Sequence, residues 1–324
     1  MSNLEKDPVE VVTTLDPETG GVEVLEPREV PLGGPRALFV RRTLPQRKRS
    51  LIGAWCFVDS YGPTPMPKPR AMDTPPHPHT GLQTVSWLYA GEIEHRDSTG
   101  AHALITPGQV NLMTAGNGIQ HSEVSTDNAA DIHGVQLWIA LPDRSCAVPP
   151  FFERFVTEPF TLDDATIRVF VGELAGHGSD VTGFTRLVGA QLDLPAGGSV
   201  DLPVDSGFEH GLIVDAGEPR LEGVTIPVDH LGVVCTGRDR LHIEAGDRPM
   251  RGLLIGGEPL GEQIVMWWNF VGRSHEEIVA LREQWQSEVI AGENAAGRFG
   301  AVHGYDGSPL AAPALPNVRL RPRE

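Results

Sequence analysis

The chain has 324 residues, 26 Lys and Arg against 43 Asp and Glu, and a formal charge of −17. That charge excludes broad binding to nucleic acid or to an anionic membrane surface, both of which need Lys and Arg to neutralise phosphate. With 40% hydrophobic residues the composition is that of a folded globule rather than a disordered chain, long enough for one large domain or two ordinary ones.

Residues 1–20 are polar and acidic and read as a loose arm, not a secretory signal. From Val22 onward, short runs of apolar, β-branched and aromatic residues recur between Gly and Pro, the pattern of an all-β chain. ALFVRRTL, LIGAWCFVDSYG, QTVSWLYAGEIEHRD, HALITPGQVNLMTAG and HGVQLWIALP succeed one another up to Pro142. The segment PDRSCAVPPFFERF, with prolines at 142, 149 and 150, reads as a linker. A second set of strands follows in TIRVFVGEL, TRLVGAQLDLPAGGSVDLPV, HGLIVDAGEPRLEGVTIPV, LGVVCTG, RLHIEAG and MRGLLIGGEPL. Two runs of similar rhythm suggest tandem antiparallel β-barrels, over 21–145 and 146–291.

One long helix is predicted, over about 274–290. Ser274 and Glu277 have capping-box spacing, and Ile278, Leu281, Trp285 and Val289 share a face that would pack on a barrel. The Gly-, Ala- and Pro-rich tail, 292–324, is expected to be poorly packed or to reach a neighbour. No window approaches 18 uninterrupted apolar residues, so no membrane span is expected. Cys56, Cys146 and Cys235 form no CxxC pair, which makes the cytoplasm the expected compartment. Cys56, between Trp55 and Phe57, reads as an inert buried thiol.

The richest chemical text is TPPHPHTGLQTVSWLYAGEIEHRDSTG, 74–100, followed by PGQVNLMTAGNGIQHSE, 107–123. In an extended strand, residues i and i+2 face the same way. His77 with His79, and His121 with Glu123, are two such pairs. On adjacent strands they would offer three nitrogens and one carboxylate to a single divalent transition metal, with open positions left over. Iron is the expected occupant, with manganese, nickel, copper or zinc as alternatives. His95, Arg96 and Asp97 are expected to tie a loop by side-chain hydrogen bonds. His102 and His133 are placed at a barrel mouth. The second barrel has no matching pair: His210 and His230 are dispersed, and His242 with Glu244 reads as a solvated strand face.

Taken together, these two histidine motifs and the segment VRRTLPQRKRSLIGAWCFVDSYGP before them resemble the cupin superfamily in its pirin form. The resemblance is dense over about Val40–Pro142 and looser beyond. It implies a bicupin, two jelly-roll barrels in tandem with one C-terminal helix, and metal in the first barrel only. His77, His79, His121 and Glu123 match the family's ligands. Gln83 stands where pirins commonly carry Glu, a change expected to alter the surroundings of the metal, and Thr80 stands where Arg is frequent.

The activity implied is a metal-dependent dioxygenase of quercetinase type, acting on a small aromatic substrate with dioxygen. Glu123 would serve as ligand and proton acceptor. Phe57, Gln83, Trp87, Leu112 and Met113 are candidate pocket residues. The alternative is a non-enzymatic, metal- or redox-sensing regulator that acts through a protein partner, without direct nucleic-acid contact.

Overall fold

The computed structural model describes residues 2–3, 21–33, 38–65, 72–127 and 131–322. The predicted N-terminal arm, Ser2–Asn3 apart, lies outside them. Each apolar run between turn residues forms a strand, and the strands assemble into two β-barrels.

In the first barrel, an eight-stranded sheet runs in the spatial order Ser2–Asn3, Arg28–Gly33, Phe39–Leu44, Trp55–Pro65, Asp131–Ala140, Leu82–Ala90, Gln109–Thr114 and Phe151–Val156. A four-stranded sheet faces it: Asp73–His79, Ile119–Ser125, Ile93–Asp97 and His102–Ile105. The second barrel repeats the plan, with Leu187–Leu194, Met250–Gly257 and Glu209–Ala216 at the centre of its large sheet. Its smaller sheet is built on Ser199–Pro203 and Arg240–Glu244. The result is the all-β pair of barrels that the spacing of the apolar runs predicts.

The two barrels exchange strands at their ends. Val22–Leu25, inside the span read as the first barrel, pairs with Leu231–Val234 of the second. Phe151–Val156, read as linker, pairs along its length with Gln109–Thr114 of the first. Pro149 and Pro150 lack N–H donors and so precede the strand rather than abolish it. From Phe151 on, every residue can join the ladder.

The two large sheets pack face to face. Trp55, Val58, Val85 and Leu137 of the first share one buried cluster with Phe170, Leu187, Ile213 and Ile255 of the second. Trp87 stacks on Phe170 with ring centroids 4.8 Å apart and donates from Nε1 to Gln191 Oε1 at 2.8 Å. Trp55 donates to the Gly256 carbonyl at 3.0 Å. Trp87 and Leu112, expected to line a pocket, therefore belong to the seam between barrels. Along Leu82–Ala90 the odd-numbered side chains face the second barrel and the even-numbered ones face the interior of the first.

A polar knot closes the same seam. His133, expected at a barrel mouth, meets Asp215 Oδ1 at 2.5 Å. Arg251 Nε donates to Asp215 Oδ2 at 2.7 Å, and its guanidinium lies 4.3 Å over the Tyr89 ring.

The helix spans His275–Trp285, and a π turn continues it over Gln286–Ile290. Ser274 caps it, accepting from Glu277 N at 3.1 Å. Glu277 reaches back to Arg273 N rather than to the capping residue's own N–H. Ile278, Leu281 and Trp285 are buried, as their spacing predicts, with Trp268, Phe270 and Phe299.

The tail is not loose. Phe299 is fully buried against Trp285, ring to ring at 5.3 Å. Trp285 Nε1 donates to the Leu310 carbonyl and Arg282 Nε to that of Pro313. Arg298 reaches the Asn117 carbonyl, Tyr305 reaches Asp73, and Leu310 N donates to the Pro76 carbonyl at 2.8 Å. Its apolar residues pack in a groove of aromatic rings, and at Leu310 its backbone meets the open edge of Asp73–His79.

Two outcomes test this seam. Trp87→Ala is expected to cost about 3–5 kcal/mol of stability in urea unfolding with metal content unchanged; a loss below about 1 kcal/mol would mean the seam is not held there. Burial pushes the Asp215 carboxyl up, but hydrogen bonding to His133 and the Arg251 charge outweigh it and hold the group below its usual range. Its stabilising contribution is therefore complete above about pH 4, the unfolded value, and is lost as pH falls through the lower folded value. Between about pH 6 and 3, Asp215→Asn should lose less stability than wild type.

Candidate metal centre

Asp73–His79 carries prolines at 75, 76 and 78 and forms the edge of its sheet, the position a strand short of N–H donors can hold. It ends at Gly81, whose φ of +67° and whose position, with an added Cβ only 2.3 Å from the Val271 carbonyl, admit no side chain. Ile119–Ser125 runs antiparallel beside it with His121 opposite His77 and Ile119 opposite His79, and a bulge falls between His121 and Glu123. On its other side, Ile93–Asp97 sets Asp97 opposite His121 and His95 opposite Glu123. Three adjacent strands thus each turn an i, i+2 polar pair into the barrel.

His77, His79 and His121 are wholly buried and Glu123 is 1% exposed. The ring centroids lie 4.4 Å apart for His77 and His121, 5.0 Å for His79 and His121, and 5.1 Å for His77 and His79. One donor atom from each of the three histidines falls within 4.8 Å of the others. A second group of the same tightness joins His95, His121 and Glu123. The carboxylate therefore meets the imidazole cluster through His121, and His95 stands as close to it as any predicted ligand.

Burial keeps these rings neutral. It pushes His77 down to about 3. His79 goes well below the usual imidazole value through burial and the neighbouring His77. His121 follows through burial and through His77, His79 and His95.

Hydrogen bonds then select the tautomers. His77 Nδ1 lies 2.8 Å from the Pro75 carbonyl, which can only accept, so Nδ1 holds the proton and Nε2 the lone pair. Asp97 Oδ2 accepts from His95 Nε2 at 3.1 Å, which leaves the lone pair of His95 on Nδ1. That atom faces His121 Nδ1 at 3.4 Å, so His121 donates there and carries its own lone pair on Nε2. Nε2 of His121 has no hydrogen-bond partner among the described residues, and His79 has only the Asn269 backbone beside its ring. Ser86 Oγ–H donates to Glu123 Oε1 at 3.1 Å, and the same hydroxyl lies 3.0 Å from Gln136 Oε1. Buried neutral imidazoles gathered beside a carboxylate are donors of the kind that a first-row transition metal accepts.

The other predicted residues divide. Phe57 and Met113 lie in an apolar cluster with Trp138, whose ring meets the edge of His79 at 5.1 Å and stacks on Phe57 at 3.9 Å. Gln83 faces the opposite way, donating to Thr114 Oγ1 at 2.9 Å and to the Thr182 carbonyl of the second barrel at 3.0 Å. It is no neighbour of the centre, because Ser86, three residues along the strand, is on the inward face.

Asp97 does tie its loop, accepting from Thr99 and Ala101. His95 does not; its i, i+2 spacing to Asp97, the same as that of the two predicted pairs, was the signal for it. His102 is exposed and paired with Glu94. His242 bonds Asp201 and Glu244 on a solvated face.

Comparison with known proteins identifies the family. Residues 38–139 match the family model described as Pirin, and 189–291 match the Pirin C-terminal cupin domain. A Pseudomonas aeruginosa protein provisionally named quercetin 2,3-dioxygenase PA1205 is 39% identical over 290 residues, 89% of each chain. A crystal structure of quercetin 2,3-dioxygenase from Acinetobacter baumannii superposes with a TM-score of 0.86 at 38% identity, covering 94% of this chain and 98% of that one. The bacterial pirin YhhW of Escherichia coli, solved in complex with nickel(II), shares the fold at a TM-score of 0.57 and 16% identity, covering 74% and 98%.

The orientation of Gln83 is testable. Gln83→Glu would set a carboxylate against the Thr182 carbonyl, and is expected to cost about 1–3 kcal/mol while leaving bound metal per chain unchanged. A changed metal content in a stable variant would place residue 83 at the centre after all.

Proposed function

The chain belongs to the pirin family, and from that premise we propose that it is a metal-dependent dioxygenase of quercetinase type, cleaving a flavonol or a related hydroxylated aromatic. The observation that carries this reading is the convergence of three buried, neutral imidazoles beside one carboxylate. His77, His79, His121 and Glu123 would hold one divalent ion, iron foremost, though the same donors accept manganese, nickel, copper or zinc. When bound, such an ion supplies Lewis acidity toward a phenolate oxygen and a route for dioxygen to react with an organic anion.

The chain's own residues do the rest. Glu123, steadied by Ser86, takes the hydroxyl proton of the substrate on its carboxylate. Asp97 and His95 hold His121 in the tautomer that keeps Nε2 basic. Phe57 and Met113, with Trp138, supply apolar walls for flat rings. A barrel interior lined this way excludes water and strengthens every charge interaction within it. The names of the relatives support the reaction class, and three free cysteines fit a reducing cytoplasm.

The test pairs elemental analysis with dioxygen uptake. Metal-loaded protein should consume dioxygen with quercetin, whereas His77→Ala should lose metal and at least about 100-fold in rate while keeping its far-ultraviolet circular dichroism. Flavonol absorbance that decays in His77→Ala at the wild-type rate would sink the proposal.

A further inference from the structure

The second barrel has its own opening. A cavity of about 540 Å³ lies at its mouth, within the range of about 300–1,000 Å³ typical of small-molecule sites. Leu174, Val188, Val204 and Phe208 form apolar walls, and His210 is among the lining residues. His210 stands on Glu209–Ala216, where it follows the alternation that sends Leu212 and Val214 into the barrel interior.

Its surroundings are unusual for a buried histidine. The side chain is 1% exposed, and neither Nδ1 nor Nε2 has a hydrogen-bond partner among the described residues. An imidazole buried with both nitrogens unmatched is costly to keep. One edge of the ring is accounted for: Cδ2 packs where an added Cβ on Gly256 would come within 2.8 Å. Gly256 does not line the cavity, whereas His210 itself does. Burial pushes His210 down to about 4, which leaves it neutral at physiological pH with one N–H and one lone pair.

The rim sets the charge of what can enter. Arg186 is the basic lining residue, and its guanidinium is already shared between Asp205 and Glu258 while lying 5.1 Å over Phe208. Glu173 and Asp205 add carboxylates to the lining. An anion would meet net negative charge, and a cation would find a neutral imidazole in the lining.

We propose that this cavity is a second ligand site, independent of the metal centre, which takes a neutral hydroxylated aromatic whose hydroxyl hydrogen-bonds to His210. The apolar walls contact the rings, and the imidazole receives or gives one of the two polar contacts that it lacks among the described residues. This inference does not rest on the dioxygenase reading and stands whether or not the first barrel turns over a flavonol.

The experiment titrates 2-naphthol, a neutral hydroxylated aromatic, into metal-loaded protein labelled with 15N-histidine, following calorimetric heat and the His210 ring-nitrogen shift. Saturable one-site binding with a shift at His210 is expected. His210→Phe keeps a buried aromatic ring and removes both nitrogens; it should bind about tenfold more weakly, as loss of one hydrogen bond implies, with bound metal per chain unaltered. His77→Ala should bind 2-naphthol as wild type does. Absence of saturable binding, an unmoved His210 resonance, or binding lost in His77→Ala would overturn the proposal. The resonance shift is read on wild type, so the outcome stands even if His210→Phe fails to fold.

Discussion

A strand turns alternate side chains to opposite faces, and nearly everything in this protein depends on that period of two. On Asp73–His79, Ile119–Ser125 and Ile93–Asp97 it sends His77 and His79, His121 and Glu123, and His95 and Asp97 to one side. Because the strands are adjacent, the three pairs stack into a single cluster of polar groups inside a hydrophobic barrel. A slip of one residue in any of the three would send its pair to the opposite face. The prolines at the edge, the bulge after His121 and the tight turn at Gly81 hold the register against such a slip.

Burying that many polar groups is tolerable because most of them are matched. His77 bonds the Pro75 carbonyl, Asp97 collects donors from its own loop and from His95, and Glu123 is met by Ser86. The atoms left over, on His79 and His121, converge on one region. The same hydrogen bonds that satisfy the outer nitrogens decide where the inner lone pairs lie, so the network that lowers the cost of burial also prepares the donors.

The second barrel contributes rigidity to the first. Its large sheet covers the outward-facing rings of Trp55 and Trp87, and the knot of His133, Asp215, Arg251 and Tyr89 ties the two across the seam. The short strand Phe270–Gly272 and the tail complete the enclosure, since Val271 N bonds the Thr80 carbonyl beside the histidine pair and Leu310 N bonds that of Pro76. The strand bearing two of the candidate ligands is an edge strand, and the last part of the chain is what protects it.

Local pattern was enough for some of this. The apolar runs between Gly and Pro announced two β-barrels, Ser274 announced the start of the helix, and the i, i+2 spacing of His77 with His79 and of His121 with Glu123 announced that each pair shares a strand face. These follow from rules that act over a few residues. Partners distant in sequence were decided only by the fold. Trp87 and Gln83 read as pocket residues because they follow the first histidine pair closely, yet strand parity turns both toward the second barrel. His95 read as a loop residue because only the pairing of its strand with Ile119–Ser125 brings it to His121. Phe151–Val156 read as linker, and the tail as loose, because the surfaces that receive them are built by residues tens to hundreds of positions away. Spacing determines which side chains can share a face; which face looks onto the metal centre, and which onto another barrel, is settled by how the sheets pack.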